Sequence, residues 1–189
     1  THIPGLNVVI PSNPLDARGL MDTALQEKAA TLFFEDRMIE DATTHSHDMD
    51  NKGWWDKIPL GKARIVRIGH KLTIVSYGLT LRMLDLLFER EKLEYELIDL
   101  RTIYPVDLEL VCKSVSKRGA CLIVEPDVTY AGVGAEITAE VSERCFGKLR
   151  HPVRRLGAPR TTIPASRALH DYMLPSEKSI LEVAEELSK

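Results

Sequence analysis

Gly132-Val133-Gly134, in the run AGVGAEI, is the first place in this sequence to look for chemistry, because glycines opening a helix can bring backbone N–H groups up to a phosphate. Ile137 stands where a dinucleotide fingerprint needs its third small residue, and the loop PDVTY separates the motif from the preceding strand. The pattern therefore favours tight helix–strand or subunit packing over nucleotide binding. His45, His47, Asp48 and Asp50 in THSHDMD carry metal-ligating side chains, but their spacing matches no closed structural site, and they read as a solvated turn. Ser76, His70, His170 and Asp171 can be assembled on paper into a hydrolytic triad. No Gly-x-Ser-x-Gly elbow supports it, Ser76 reads as an ordinary strand end, and HDYMLP (170–175) reads as a surface loop. Trp54-Trp55 read as an anchor onto a domain or partner surface. Cys112, Cys121 and Cys145 are odd in number and far apart, each in an apolar-periodic segment, which fits buried thiols better than a disulfide framework or a CxxC site.

These residues must be positioned by regular elements, and the sequence supplies them in alternation. NVVIP is a β-branched run; Ser12-Asn13-Pro14 is a helix entrance, and ATLFFED (30–36) reads as a buried strand, making the first part strand–helix–strand. Residues 37–57 are polar and aperiodic and read as a linker. KARIVRI and KLTIVSYG then read as two strands joined at Gly69-His70, a hairpin at the sheet edge. The helix over 79–92 carries Leu79, Met83, Leu84, Leu87 and Phe88 on one stripe. LEYELIDL is a strand stopped by Pro105; Asp107 caps a helix bearing Leu108, Val111, Cys112 and Val115, and Gly119 ends it. ACLIVEP is almost continuously apolar, as a central parallel strand covered on both faces should be. A helix after Gly134, the strand PVRRLG and an amphipathic helix capped by Ser176 complete the chain. Successive strand–helix units imply an α/β domain of three layers, a mostly parallel sheet flanked by helices.

With 189 residues and 44% hydrophobic content, the chain can bury one good core and part of a second. A net charge of −3, with both signs dispersed, gives no reason to expect nucleic acid or an anionic membrane as a partner. No stretch reads as a membrane span or signal peptide, so a cytoplasmic or organelle-matrix setting is expected, and the start at Thr1 reads as that of a piece.

Several segments, in order, carry a resemblance. HIPGLNVVIPSNPLDARGLM, IPLGKARIVRIG, LTIVSYG, ELIDLRTIYPVD, VGAEI and PVRRLGAPRTTIP with LHDYMLPS are similar to the later part of the β subunit of thiamine-diphosphate-dependent 2-oxo acid dehydrogenases, of the pyruvate, branched-chain 2-oxo acid and acetoin types. The resemblance implies that residues 1–36 are the tail of a pyrimidine-binding domain, 37–57 a linker and 58–189 a transketolase C-terminal-like domain. It implies thiamine diphosphate and Mg²⁺ in the complete assembly, held by an α subunit, and a second β subunit as further partner. The family's catalytic glutamate and substrate-handling histidine are expected upstream of Thr1, so no catalytic or cofactor-binding residue is assigned here and the chain alone should be inactive.

Three further implications concern named residues. A partial potassium site maps onto Ala24, Leu25 and Glu27, with Ala29 replacing a polar ligand. Gly132 and Gly134 are expected at a subunit interface. Arg150 stands where relatives carry an acid that docks the basic binding domain of the lipoyl acyltransferase core, a charge reversal that should repel that partner. Two rival readings are a free-standing transketolase-C-like module for oligomerisation or ligand binding, and a fragment of a transketolase or deoxyxylulose-phosphate synthase. The apolar Val8, Val9, Leu32 and Phe33 require cover for residues 1–36, from another copy or the C-terminal domain, unless that segment is disordered.

Overall fold

The computed structural model describes residues 1–40, 57–162, 164–166, 169 and 172–189. His45, His47, Asp48, Asp50, Trp54, Trp55, His170 and Asp171 lie outside them. Strand β1 (Leu6–Val9), helix α1 (Pro14–Ala24), strand β2 (Ala30–Phe33) and the short helix α2 (Arg37–Glu40) come first. They are followed by β3 (Arg64–Arg67), β4 (Thr73–Ser76), α3 (Gly78–Glu91), β5 (Glu96–Asp99), β6 (Thr102–Tyr104) and α4 (Leu108–Arg118). The chain ends with β7 (Cys121–Val128), α5 (Val133–Arg144), β8 (Arg154–Ala158) and α6 (Glu177–Ser188).

The main sheet has the order β3-β5-β4-β7-β8, all parallel except β3. Its strands alternate apolar side chains between two cores. Leu72, Ile74, Leu97, Leu122 and Val124 meet α3 and α6 through Leu81, Leu84, Leu87, Ile180, Ala184 and Leu187. Val75, Ile98, Cys121 and Ile123 meet α4 and α5 through Val111, Val115, Ile137, Val141 and Cys145. This is the three-layer arrangement expected from the alternating units. Cys121 and Cys145 are buried, Cys112 is half-buried, and all three are free thiols.

The caps follow the local chemistry of the sequence. Asn13 accepts from the Asp16 N–H at 2.8 Å with Pro14 beginning α1, Asp107 accepts from Leu110 N–H at 3.1 Å, and Gly119 closes α4 at φ 71°. Ser176 accepts from the Ser179 N–H at 3.2 Å, opening α6. Replacing Ser176 with alanine is expected to cost about 1 kcal/mol, and with glycine only a few tenths. The urea midpoint reads this directly; no shift in Ser176→Ala would mean that packing by Ile180, Ala184 and Leu187 alone holds the helix.

Three expectations are corrected. β3 lies at the sheet edge and antiparallel, but it pairs with β5 (Ile65 opposite Ile98) and is separated from β4 by it, so there is no hairpin at Gly69-His70. The reason is close approach. A Cβ on Gly69 would fall 2.1 Å from the Tyr95 carbonyl carbon, and His70 N–H donates to Glu94 carbonyl at 2.9 Å, so this turn packs against the chain leading into β5. β2 is a strand but not a buried one: it pairs only with β1 among the described residues, leaving Leu32 and Phe34 about half exposed. In α3 Leu81, not Leu79, is on the fully buried face.

Residues 1–36 do not stand alone. β1 pairs parallel with β2 on one side and antiparallel with β6 on the other, through Val8 opposite Tyr104 and Val9 opposite Thr102. Packing on the C-terminal domain is thus the outcome, and it buries Val8 and Val9. Ile58 N–H donating to Gly19 carbonyl at 3.1 Å adds a second tie.

Candidate functional site

The strand order places a topological switch point between β4 and β7, where connections leave in opposite directions and α/β proteins bind ligands beyond the carboxyl ends of the strands. Here the protein places a carboxylate and three close-packed glycines at that point. Glu125, fully buried on β7, accepts from the Gly134 N–H at 2.9 Å through Oε2. Tyr77, which follows β4, is near enough for the Glu125 charge to act on its hydroxyl, while Glu125 Oε1 is buried without a hydrogen-bond partner among the described residues. A Cβ at Gly134 would fall 2.5 Å from Glu125 Oε1, one at Gly132 2.4 Å from the Val128 carbonyl oxygen, and one at Gly157 3.0 Å from Glu125 Cγ. The Gly-x-Gly turn therefore brings the Gly134 N–H to an internal carboxylate where a nucleotide-binding protein would place phosphate. Burial raises the Glu125 pKa, opposed by the Gly134 N–H and the Arg155 charge. Burial, followed by the charges of Glu125 and Asp127, raises Tyr77 far above the usual phenol range.

A second polar cluster joins the N-terminal segment to the domain. Leu100 ends the reach of β5, and Arg101 turns the chain with φ 60°, a left-handed backbone uncommon for a side chain of this size, so that β6 leaves the main sheet for the β1–β2 sheet. The Arg101 carbonyl accepts from Ile10 N–H at 2.9 Å, and its guanidinium Nε donates to Asp16 Oδ2 on α1 at 3.1 Å. Arg64 on β3 reaches the same oxygen at 3.4 Å, and Asn13 Nδ2 donates to it at 2.9 Å. Asp99, at the end of β5, accepts from the Ser12 hydroxyl and from Arg101 N–H at 3.1 Å. Ser12, Asn13, Asp16, Asp99 and Arg101 are all buried. Burial and then the charge of Asp16 push the Asp99 carboxyl up to about 6, against the pull of the Ser12 hydroxyl, Arg101 and Arg64. What this arrangement can do is hold two pieces of chain together by charge.

The family model described as transketolase, C-terminal domain, matches residues 61–180. The chain belongs to the transketolase C-terminal domain family. It is 39% identical over 167 residues to the mitochondrial 2-oxoisovalerate dehydrogenase subunit beta of Dictyostelium discoideum, covering 86% of this chain and 44% of that protein. It is 35% identical over 185 residues to the pyruvate dehydrogenase E1 component subunit beta of Bacillus subtilis, covering 96% and 55%. To the acetoin:2,6-dichlorophenolindophenol oxidoreductase subunit beta of Cupriavidus necator it is 33% identical over 192 residues, covering 100% and 55%. The chain spans about half the length of the curated relatives it matches. A solved structure titled split gene transketolase, inactive beta4 tetramer, superposes with a TM-score of 0.72 over 100% of this chain and 60% of that one, at 16% identity, which establishes a shared fold.

Within this transketolase C-terminal domain Arg150 is anchored. Its guanidinium donates to the Arg118 carbonyl at 3.0 Å and approaches the Lys71 carbonyl at 3.5 Å, while its own N–H donates to Gly119 carbonyl at 2.7 Å. A cation on the last carbonyls of α4 suits the helix dipole, a local reason for arginine at this position. Ala24, Leu25 and Glu27 lie on the turn that ends α1, where the Ala24 carbonyl accepts from Glu27 N–H at 3.3 Å and Leu25 and Glu27 are exposed. That is the hydrogen bonding of a helix end. Among the described residues, no group of three His, Cys, Asp or Glu side chains is placed to hold a metal. No helix among the described residues is long and apolar enough to cross a membrane.

Sequence reasoning singled out Gly132 and Gly134 but missed what they enclose. A lone acid at the end of an apolar strand, Glu125 after ACLIV, was the available signal. For the transketolase C-terminal domain's junction with α1, the signals were Arg101 inside a strand-like run and Asp16 in the first turn after a capping Asn13; neither names its partner 85 positions away.

Proposed function

We propose that this chain is the C-terminal, assembly-bearing part of the β subunit of the decarboxylating component of a thiamine-diphosphate-dependent 2-oxo acid dehydrogenase. The observation that carries this reading is the match to β subunits of branched-chain, pyruvate and acetoin enzymes across 86–100% of the chain. The close packing at the switch point is compatible with it, since Gly132, Gly134 and Gly157 each leave no room for a Cβ beside Glu125 and the neighbouring backbone. In this reading residues 1–36 are the tail of the pyrimidine-binding domain, the α subunit and a second β subunit are the partners, and the setting is the cytoplasm or a mitochondrial matrix. Thiamine diphosphate, when bound with Mg²⁺ in the assembly, supplies the carbanion chemistry that cleaves the 2-oxo acid. This chain's residues contribute the seam that carries the N-terminal segment. Attachment to a lipoyl acyltransferase core would require a partner tolerant of Arg150. The match to β subunits at 33–39% identity favours this reading over a transketolase piece, for which the support is a shared fold at 16%.

The test is to supply the purified chain with thiamine diphosphate, Mg²⁺ and branched-chain 2-oxo acids or pyruvate, alone and with the α subunit from the same genome. Size-exclusion chromatography with light scattering should show a complex with the α subunit, and the chain alone should release no CO₂. Turnover by the chain alone, or no association with the α subunit, would reject the proposal.

A further inference from the structure

Ser12, Asn13 and Asp16 from the start of α1, Asp99 from the end of β5, Arg101 from the bend after it and Arg64 from β3 close into one buried cluster, the main polar tie between residues 6–24 and the transketolase-like sheet. Two carboxylates share this space. Asp16 receives the Arg101 Nε at 3.1 Å, the Arg64 guanidinium at 3.4 Å and the Asn13 amide at 2.9 Å, whereas Asp99 receives the Ser12 hydroxyl and one backbone N–H. The direct guanidinium contacts thus go to Asp16, and Asp99, fully buried, takes its hydrogen bonds from neutral donors while feeling the Asp16 charge against those of Arg101 and Arg64. A proton on Asp99 relieves the repulsion between the two acids, and its loss restores that repulsion across the seam.

We propose that Asp99 is the titrating element of a latch: protonated, it holds β1 and α1 firmly on the sheet domain, and ionised, it loosens them. The groups facing Asp99 are Ser12 and Asp16 from the N-terminal segment, Arg101 from its own strand's continuation and Arg64 from the neighbouring strand β3. The sign follows from linkage. The carboxyl titrates near 6 in the folded seam against 3.8 in a free chain, so it contributes stability that is complete below 3.8 and is lost as pH rises through about 6. In a relative-like assembly this would make the junction between the N-terminal segment and the C-terminal domain responsive to mild acidification. The latch itself does not depend on which enzyme the chain serves.

The experiment is amide hydrogen exchange on the full chain at pH 5, 6 and 7, expressed as protection factors to remove the intrinsic pH dependence. Protection over residues 6–24 should fall by on the order of tenfold between pH 5 and pH 7. Protection of β7, in the centre of the sheet, should fall much less. Asp99→Asn keeps the size and removes the titration, so its residues 6–24 should show the same protection at all three pH values. Ser12→Ala, which removes a donor to Asp99, should move the transition to higher pH. Equal protection of residues 6–24 at pH 5 and 7 in the unaltered chain overturns the proposal, whether or not either variant folds; so does a parallel loss in β7, which would mark global titration.

Discussion

Replacing Arg101 with methionine is expected to lower the free energy of unfolding by about 3–5 kcal/mol, the usual result of removing one partner from a buried ion pair. The guanidinium lies 3.1 Å from Asp16 Oδ2, and both side chains are almost fully buried. Removing it strands Asp16 with Arg64 at 3.4 Å and the Asn13 amide, and deprives Asp99 of a nearby positive charge. Methionine cannot restore either, and it keeps the unfavourable positive φ that the arginine's contacts now hold in place. The loss should appear first as cleavage within residues 1–40 in limited proteolysis, then as a lower denaturant midpoint. Arg90, exposed and paired with Glu177, is the contrasting case: its replacement should leave the midpoint almost unchanged. An Arg101→Met protein as stable as the original would show that β1–β6 pairing alone holds the segment.

Gly132→Ala is expected to be the second costly change, at about 2–3 kcal/mol, or a fall in Tm on the order of 5–10 °C. Gly132 has φ −73°, a conformation any residue adopts, so the penalty is steric. The new methyl would stand 2.4 Å from the Val128 carbonyl oxygen, a backbone atom held by the β7–β8 region, and 3.1 Å from Glu125 Oε2. Gly134→Ala meets a side-chain atom instead, Glu125 Oε1 at 2.5 Å. Its cost should be smaller to the extent that the glutamate shifts, and Glu125→Gln combined with it tests that coupling. Calorimetry on the three proteins distinguishes these outcomes; Gly132→Ala melting with the original would mean that the Thr129–Gly132 turn moves freely, contrary to the packing seen.

Local chemistry was readable residue by residue. Asn13 with Pro14, Asp107, Gly119 and Ser176 end or open helices where their side chains or backbones predict, because a cap is satisfied within three or four positions. The unbroken apolar run of β7 announced a central strand for the same reason: both its faces must be covered. Pairing across the sheet was not readable in this way. The hairpin expected at Gly69-His70 failed because a turn signal does not say which strand comes back beside it, and β5, arriving 30 residues later, inserted between β3 and β4. β2 reads as buried from composition, yet a strand is buried only when something lies on each side of it.

By itself the sequence determined the order of elements apart from α2 and β6, the helix ends, the three-layer class and, through the matched segments, the family. Only the tertiary structure decided that Asp16 meets Arg101, that Ser12 meets Asp99, that Arg150 caps α4, and that Glu125 occupies the slot prepared by Gly132 and Gly134. The physical reason is range. Periodicity and capping act over a few residues and leave a trace in the local pattern, whereas a buried charge takes its partner from whichever distant element the sheet order brings beside it.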